Sequence, residues 1–414
     1  GWQVSGNEQS LSRTIEHHTG FYYIQDAASM LPAELFDYSA DDWPLVLDMA
    51  ASPGGKTTHL ASKINDRGLI VANDSSAGRI AGLRSNLHLW GAISTALTSY
   101  PGERYGEWFR EVFGKVLLDA PCSGESLRTA ERRKTRFVSA KERLQLQQRQ
   151  IKLLLSAFHA VKLGGQVVYA TCTLASEENE AVIDALLKAY PQHAAIESLN
   201  RILPIPAPAL TRDGEREFDP RVSNAARLWP HLYDTSGFFA ALIRKSDSVA
   251  SESSSPPERS LATAGFASMT PQQQGEILKP LQAEYGFDLA AVLEQQRLEL
   301  WQRERSVYAL PERLLQHFAD FPCIAIGMLI GEWINAVFVP SHELIARFSA
   351  QFTGRRWTLT DPQVAQWLTG LDLRNVGALP YPAGSVILLE DDRHRYLGRG
   401  KVLPDRLRNL LPKR

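Results

Sequence analysis

Short apolar runs alternate with longer amphipathic stretches through the first part of the chain. Short apolar runs predict buried strands, and apolar residues at helical spacing predict helices. Between residues 140 and 161, for example, Leu144, Ile151, Leu154 and Phe158 recur on one helical face. The predicted strands cover residues 44–48, 69–74, 94–99, 116–119, 166–171 and 237–244. Strand–helix alternation of this kind predicts an α/β fold with a parallel, doubly wound sheet.

Two of the three cysteines follow predicted strands closely. Cys172 comes directly after the strand 166–171, and Cys122 follows the strand that ends at Asp119. Ligands of open α/β sheets collect at the carboxyl ends of the strands. A single cysteine at either position is most often a small buried apolar residue. Two thiols at matched strand ends, each beside small and polar residues, favour a chemical role.

Three glutamates after Cys172 and the third cysteine have a structural interpretation. Glu177, Glu178 and Glu180 fall in the first turn of the helix predicted after Cys172, where acids suit the helix dipole. We interpret them as structural rather than catalytic. Cys323 lies in an apolar strand and is predicted to be a core residue.

The loop after the first strand is rich in small residues. It runs from Asp48 through a Gly-Gly pair to Lys56 and enters a predicted helix. Small residues let the backbone approach a ligand, and a helix N-terminus attracts anionic groups. The loop matches neither the Gly-x-Gly-x-x-Gly nor the P-loop pattern, so a plain strand-to-helix connection is the alternative. Asp74 lies 26 positions after Asp48, near the ~20-residue offset of a ribose-binding carboxylate, and favours a nucleotide-type ligand.

A Ser/Pro-rich stretch at residues 246–260 divides the chain. Its composition predicts a linker. We expect one domain at residues 1–245, a mixed helical segment at 261–320 and a small β-rich domain at 321–414.

Composition and charge narrow the classes of function. The length of 414 residues allows two or three domains. The net charge of −1 does not indicate a polyanion partner, but basic clusters at residues 128–143 and 393–414 favour nucleic acid modestly. No apolar run reaches the ~18 residues of a membrane span, and no secretory signal is visible.

The cysteine count and the first residue give two further expectations. Three cysteines without paired spacing provide neither a disulfide framework nor a zinc site, which is typical of a cytoplasmic protein. Because the chain begins at Gly1 rather than Met, we expect that an N-terminal portion has been lost.

The motifs resemble the Nop/Sun family of RNA (cytosine-5)-methyltransferases, in particular its bacterial 16S ribosomal RNA F-type branch. The resemblance extends from residue 20 to about 245 and is carried by residues 48–56, 119–124, 171–173 and 237–239. It implies a Rossmann-like, mostly parallel seven-stranded sheet that binds S-adenosylmethionine. The end of the chain is similar to the PUA-like RNA-binding domain of that branch.

The resemblance also implies roles for individual residues. Cys172 would be the nucleophile, Cys122 would help to release the product, and Asp119 would border both the cofactor and the flipped base. Asp74 would hold the ribose hydroxyls. The methionine end of the cofactor would lie against Ala50, Ala51, Ser52, Pro53, Gly54, Gly55 and Lys56.

Two positions depart from the family pattern. Family members often place an acid near the end of the third strand to receive the adenine amino group. This chain has Pro101 there, which leaves adenine recognition to the backbone or to Glu103. The family also tends to show Arg and Pro soon after the first cysteine motif, whereas this chain has Arg128 without a nearby Pro.

The residue types suit this chemistry. Carbon 5 of cytosine is a poor nucleophile until a thiolate adds to carbon 6, which is covalent catalysis. Asp119 is suited to hydrogen-bond the cytosine ring, although capping a turn is the alternative. Lys56 is suited to lower a thiol pKa or to contact phosphate, with a solvated first-turn lysine as the alternative.

Three functions stay open at this stage. The favoured one is methyl transfer to carbon 5 of a cytosine in 16S ribosomal RNA, through a covalent adduct with Cys172. The others are a cytosine-5 DNA methyltransferase that attacks with Cys122, and a catalytically silent RNA-binding assembly factor. For the favoured function we expect ribosomal RNA or the small subunit as partner, a monomer, no membrane and a cytoplasmic location.

Overall fold

The fold was analysed in a computed structural model. It describes residues 10–39, 41, 43–126, 138–250, 252–374, 376–377 and 379–411. The predicted substrate-side residue Arg128 lies outside this range.

The first part of the chain alternates strands and helices as predicted. Its strands are β1 (Leu45–Asp48), β2 (Leu69–Asn73), β3 (Thr95–Thr98), β4 (Phe113–Asp119), β5 (Val161–Thr171), β6 (Ala194–Glu197), β7 (Arg212–Asp213), β8 (Arg216–Glu217), β9 (Ala226–Leu228) and β10 (Phe238–Lys245). Its helices are α1 (Ile15–His18), α2 (Ala27–Glu34), α3 (Gly55–Lys63), α4 (Ala77–Trp90), α5 (Tyr105–Trp108), α6 (Ala140–Ala160), α7 (Glu180–Ala189) and α8 (Pro230–Tyr233).

The large sheet has the strand order β3-β2-β1-β4-β5-β10-β6. The pairs from β3 to β5 are parallel, and β10 is antiparallel to both β5 and β6. This seven-strand core confirms the predicted Rossmann-like sheet. Two further strands extend it: β9 pairs with β10, and a strand from the second half of the chain pairs with β3.

The parallel register brings the chemically interesting strand ends together. Asp48 pairs with Leu117 of β4, and Asp119 pairs with Ala170 of β5, two residues before Cys172. Because these strands run in the same direction, the residues that follow them share one edge of the sheet. Cys122 and Cys172 therefore leave the sheet on the same side.

The side chain of Asn73 links the carboxyl ends of β1, β2 and β3 by hydrogen bonds. Its amide nitrogen donates to the carbonyls of Met49 and Tyr100, at 3.1 and 2.9 Å. Its oxygen accepts from Thr98 Oγ1 and from the backbone N–H of Tyr100. A fully buried amide with all of these partners stabilises the connection between β1, β2 and β3.

The second part of the chain forms two smaller sheets. Its strands are β11 (Phe266–Ser268), β12 (Leu298–Arg303), β13 (Ser306–Pro311), β14 (Ala325–Ile326), β15 (Met328–Ile334), β16 (Val337–Pro340), β17 (Arg356–Thr358), β18 (Leu373–Arg374), β19 (Val386–Glu390), β20 (Tyr396–Val402) and β21 (Arg406–Asn409). Its helices are α9 (Pro271–Tyr285), α10 (Leu289–Gln295), α11 (Glu312–His317), α12 (His342–Phe348) and α13 (Asp361–Leu368).

The expected boundary at residue 320 cuts through one of these sheets. The sheet has the order β11-β12-β13-β15-β16, so its strands lie on both sides of residue 320. The last sheet has the order β17-β19-β20-β21-β18. The expected mixed helical segment at 261–320 contains helices α9 and α10, but it also contains strands that pair across the predicted boundary.

The second part of the chain is packed firmly against the first. Strand β14 pairs antiparallel with β3, and Phe318 and Phe321 contact Phe109, with ring centroids 5.0 Å apart in each case. The predicted linker at 246–260 also packs on the first domain, since Val249 is buried in its core. None of the described helices is long and apolar enough to cross a membrane.

Candidate active site

The loop between β1 and α3 forms one wall of an open cleft. The cleft measures about 550 Å³, including the solvent at its mouth, and is lined by Tyr23, Ile24, Gln25, Asp26, Ser29, Asp48, Ala50, Ala51, Ser52, Pro53, Gly55, Lys56 and Asp119. Of the residues predicted to hold the methionine end of the cofactor, all except Gly54 thus line it. Gly54 has a φ of +112°, which favours glycine, and a Cβ on Gly55 would lie 2.6 Å from Tyr23.

Asp48 is a buried carboxyl at the base of this cleft. Its Oδ2 accepts from Thr57 Oγ1 at 2.7 Å, while Oδ1 has no hydrogen-bond partner among the described residues. Burial raises the pKa of Asp48 to about 7, with a smaller contribution from the charge of Asp119. The sequence marked Asp48 only as a strand end, because burial of a carboxyl cannot be inferred from its position alone.

Lys56 and Asp119 form an ion pair in the cleft. Lys56 Nζ lies 2.7 Å from Asp119 Oδ2 and 5.8 Å from the ring centroid of Phe238. Burial alone would lower the pKa of Lys56, but the attraction to Asp119 outweighs it and raises that pKa. Lys56 is therefore a fixed positive charge in the site rather than a solvated first-turn lysine.

The two strand-end thiols are in direct contact. The sulfur atoms of Cys122 and Cys172 are 3.1 Å apart. The hydrogen bond from Cys122 lowers the pKa of Cys172, to which the charge of Lys56 also contributes, and the same contact raises the pKa of Cys122 well above its usual range. These opposite shifts make Cys172 the thiol of the pair that ionises more readily.

Asp74 lies beside the cleft rather than in its lining. The carboxylate is buried and accepts from the backbone N–H groups of Ser52 and Ser76, at 3.2 and 2.8 Å. Arg79 also approaches it at 3.0 Å. The predicted contact with ribose hydroxyls stays a prediction, and the observed contact shows that Asp74 helps to fix the loop through Ser52.

Glu103, the expected partner for adenine, is held by a residue that the sequence did not indicate. Arg149 of α6 lies 3.3 Å from Glu103 and donates to Ser75 Oγ at 3.2 Å. This pair sits next to the end of β2, on the side of Pro101. Residues 46 positions apart meet here through tertiary packing, for which the sequence carries no local signal.

Glu178 and Glu180 are buried rather than exposed in a first helical turn. Glu180 forms a two-pronged ion pair with Arg227, at 2.5 and 2.6 Å. Arg227 also donates to the carbonyl of Leu174 at 2.9 Å. These contacts support the structural interpretation of Glu180, but through a buried ion pair and not through the helix dipole.

The residues of the cleft fit a sulfonium cofactor. Carboxyl groups of Asp48 and Asp119 face a space into which a positively charged group can enter. The unpartnered Oδ1 of Asp48 leaves one buried acceptor for an ammonium or hydroxyl donor. The backbone of the glycine-containing loop and the N-terminus of α3 border the same cleft. Their N–H groups can stabilise the carboxylate of the cofactor.

The strand order, the loop after β1 and the thiol pair define a protein of the Rossmann-like methyltransferase class. The family described as 16S rRNA methyltransferase RsmB/F matches residues 34–244, and the chain belongs to this family.

Several relatives resemble the whole chain. A ribosomal RNA small subunit methyltransferase F from Pectobacterium carotovorum subsp. carotovorum (strain PC1) is 31% identical, with 100% of this chain and 81% of the relative covered. The protein of that name from Escherichia coli O9:H4 (strain HS) is 30% identical, covering 100% of this chain and 82% of its own length. A crystal structure of a methyltransferase homolog protein from Pyrococcus horikoshii is 37% identical, with a TM-score of 0.50 and coverage of 58% and 73%.

The thiol pair predicts an unequal reactivity toward iodoacetamide. Because the pKa of Cys172 is lowered and that of Cys122 is raised, alkylation below the usual thiol pKa of about 8.5 should modify Cys172 first. Lys56→Met should raise the pKa of Cys172 and move its pH–rate profile to higher pH. Mass spectrometry of peptides from a pH series measures both effects.

The matched control is Lys63→Met, which removes an equal charge from the exposed last turn of α3 and should leave the profile in place. Cys323, whose pKa burial raises to about 12, should stay unmodified in the folded protein. Faster alkylation of Cys122 than of Cys172 would contradict the assignment of the thiolate.

Proposed function

We propose that this chain transfers a methyl group from S-adenosylmethionine to carbon 5 of a cytosine in 16S ribosomal RNA, through a covalent adduct with Cys172. The observation that carries the proposal is the 3.1 Å contact between Cys122 and Cys172 beside the Lys56–Asp119 ion pair. The names of the relatives, ribosomal RNA small subunit methyltransferase F, support RNA as the substrate.

The first step is attack by the Cys172 thiolate on carbon 6 of the cytosine. The new C6–S bond pushes electron density toward carbon 5, which becomes nucleophilic like the carbon of an enamine. The bound cofactor supplies an electrophilic methyl group. Cys172 suits this step because Cys122 and Lys56 both stabilise its charged form.

Asp119 and Lys56 act around the base. Asp119 lies at the cleft, 28% exposed, and its carboxylate is suited to accept a hydrogen bond from the exocyclic amine of a flipped cytosine. Lys56 holds Asp119 in place and keeps a positive charge near Cys172. The ion pair thus couples orientation of the base to activation of the nucleophile.

Release of the product reverses the covalent bond and requires a base. The proton on carbon 5 passes to the sulfur of Cys122, after Cys122 has lost its own proton to solvent. The electron pair of the C5–H bond forms the C5=C6 double bond, and the C6–S bond breaks. This step returns Cys172 as a thiolate and Cys122 as a thiol, in keeping with the lowered pKa of Cys172 and the raised pKa of Cys122.

The contact between the thiols disfavours the DNA-type alternative. That mechanism requires Cys122 to attack, yet the contact with Cys172 raises the pKa of Cys122 and lowers that of Cys172. A silent assembly factor would not need a stabilised thiolate beside an ion pair at all. The enzyme with Cys172 as nucleophile accounts for both features.

A basic face on the last sheet is the proposed contact for RNA phosphates. Strand register places Arg374 opposite Arg406 and Lys401 opposite Arg408, while Leu373, Val402 and Leu407 point into the core. Side chains alternate along strands, so Arg374, Lys401, Arg406 and Arg408 share one outer face. We call these four residues the basic face. Like charges directly opposite each other destabilise a sheet, which favours a binding role.

Two arginines of the expected basic tail, one of them in the basic face, already form ion pairs within the protein. Arg395 pairs with Asp391 and Glu16, and Arg406 pairs with Asp372. No ion pair of Lys401 or Arg408 is formed within the described part of the chain. These two residues are consequently the strongest candidates for phosphate contacts.

The two cysteines should give opposite phenotypes. Cys172→Ala should abolish methyl transfer and form no adduct, because a methyl group cannot attack. Cys122→Ala should methylate once and then stall, with RNA bound through Cys172 and steady-state turnover reduced about 10²–10⁴-fold. Denaturing gel electrophoresis with labelled cofactor and small-subunit RNA measures the adduct.

Cys323→Ala is the matched control, since it removes the third thiol, which is partly buried against the core and does not line the cleft, and it should behave like the unmodified protein. A shifted band with Cys172→Ala and none with Cys122→Ala would overturn the assignment. Methyl transfer to DNA but not RNA would refute the proposed substrate.

Asp74→Asn should weaken cofactor binding. Loss of charge-assisted hydrogen bonds costs roughly 1.5–3 kcal/mol, or about a ten- to hundredfold increase in Kd. Calorimetric titration with S-adenosylhomocysteine and its 2′,3′-dideoxy analogue separates two roles. If Asp74 holds the ribose hydroxyls, the variant loses the preference for the natural compound; if it only fixes Ser52, both affinities fall together. Asp37→Asn, in an exposed turn, serves as control.

The double variant Lys401→Ala/Arg408→Ala should weaken RNA binding and flatten its salt dependence. Each lost phosphate contact lowers the slope of log K against log salt by roughly 0.7 to 0.9. Filter binding across a salt series measures the slope, while cofactor affinity should be unchanged. Lys188→Ala/Arg201→Ala removes the same charge from the first domain as a control. Equal slopes for both double variants would refute the role of the basic face.

A further inference from the structure

Cys122 depends on side chains for its position, whereas Cys172 depends on the sheet. Cys172 follows directly on β5, whose last residue, Thr171, is paired with Phe239. Cys122 lies three residues beyond the end of β4 at Asp119, in an irregular loop. Something other than the strand ladder must therefore hold the Cys122 thiol against Cys172.

Glu178 and Gln150 supply that support. Glu178 Oε2 accepts from the backbone N–H of Ser123 at 2.9 Å and from Gln150 Nε2 at 3.0 Å. Gln150 Nε2 also donates to the carbonyl of Pro121 at 2.9 Å. The two side chains thus form hydrogen bonds with the peptide groups on both sides of Cys122.

The same glutamate is tied to the strand that leads to Cys172. The hydroxyl of Tyr169, on β5, donates to the backbone carbonyl of Glu178 at 2.6 Å. Ser123 Oγ adds a second link by donating to Thr173 Oγ1 at 3.1 Å. Glu178 therefore connects the loop of Cys122 to the strand of Cys172 through a short, buried path.

Stability alone does not account for a carboxyl at this position. Glu178 and Gln150 are both 0% exposed, and Glu178 Oε1 and Gln150 Oε1 lack hydrogen-bond partners among the described residues. Burying a carboxyl with an unpartnered oxygen is costly. Positions that carry such a cost are concentrated at functional sites, where geometry must be maintained.

We infer that Glu178, with Gln150, is a positioning residue for the release step: it holds the Cys122 sulfur where it takes the proton from carbon 5. The inference rests on the proposed function. Attack by Cys172 depends less on this support, because Asn179, which accepts from Thr171 Oγ1 at 2.6 Å, holds the end of β5, and the charge of Lys56 stays beside the thiol when the contact with Cys122 is lost. Removing the carboxyl should consequently impair release more than attack.

The test compares single and multiple turnover for Glu178→Ala with labelled cofactor and small-subunit RNA. The expected result is a burst near one methyl group per enzyme, then turnover reduced on the order of a hundredfold, as for small misplacements of catalytic groups. A covalent RNA band should accumulate on denaturing gels. Glu178→Gln, which keeps an acceptor in place, should restore most of the turnover.

Two further variants keep the test decisive. Gln150→Leu removes the hydrogen bonds of Gln150 with Pro121 and Glu178 without leaving a large cavity. This variant should also accumulate adduct, even if Glu178→Ala fails to fold. Glu177→Ala, whose side chain is 34% exposed and 3.9 Å from Arg216, is the neighbouring control and should behave normally.

Cys122→Ala separates failure of the inference from failure of the proposed function. If Cys122→Ala traps RNA while Glu178→Ala and Gln150→Leu do not, the positioning role is wrong and the proposed function stands. A proportional fall of burst and turnover without adduct would likewise reduce Glu178 to a structural role. If Cys122→Ala traps no RNA, the proposed release step itself is wrong.

Discussion

The parallel register of β1, β4 and β5 is the constraint on which the site depends. Three strands that run in the same direction deliver Asp48, Asp119 and Cys172 to one edge of the sheet. A slip of two residues in one of these strands would move its terminal residue by roughly 7 Å, far beyond hydrogen-bond reach. The buried apolar strands and the amide of Asn73 oppose such a slip.

Within this frame, two chemically identical side chains acquire different properties. The contact with Cys122 and the positive charge of Lys56 lower the pKa of Cys172, whereas the same contact between the thiols raises the pKa of Cys122. The two thiols therefore differ in acidity before any substrate arrives. A nucleophile and a proton acceptor for a later step can be built from the same residue type, provided that their surroundings differ.

The main strands and the strand-end residues of the site can be predicted from the sequence, whereas the contacts made through tertiary packing cannot. Apolar runs locate six strands of the large sheet but not the short strands β6, β9 and β14, and strand ends locate Asp119, Cys122 and Cys172. The order of strands and the meeting of Arg149 with Glu103 depend on tertiary packing, which local periodicity does not encode. The sequence predicts only a favourable interaction of Glu178 with the helix dipole. Its burial and its hydrogen bond with Ser123 depend on a loop 55 residues away, which the local pattern does not indicate.

The pairing of β14 with β3 has a consequence for synthesis of the chain. One side of β3 pairs with β2, and on its other side residues 96 and 97 pair with residues 326 and 325. A chain emerging from the ribosome can build most of the large sheet while this edge still exposes unpaired backbone groups, which invite association with other strands. The second half of the chain thus pairs with the exposed edge strand and protects the nascent first domain from association with other strands. This role is separate from RNA binding and methyl transfer.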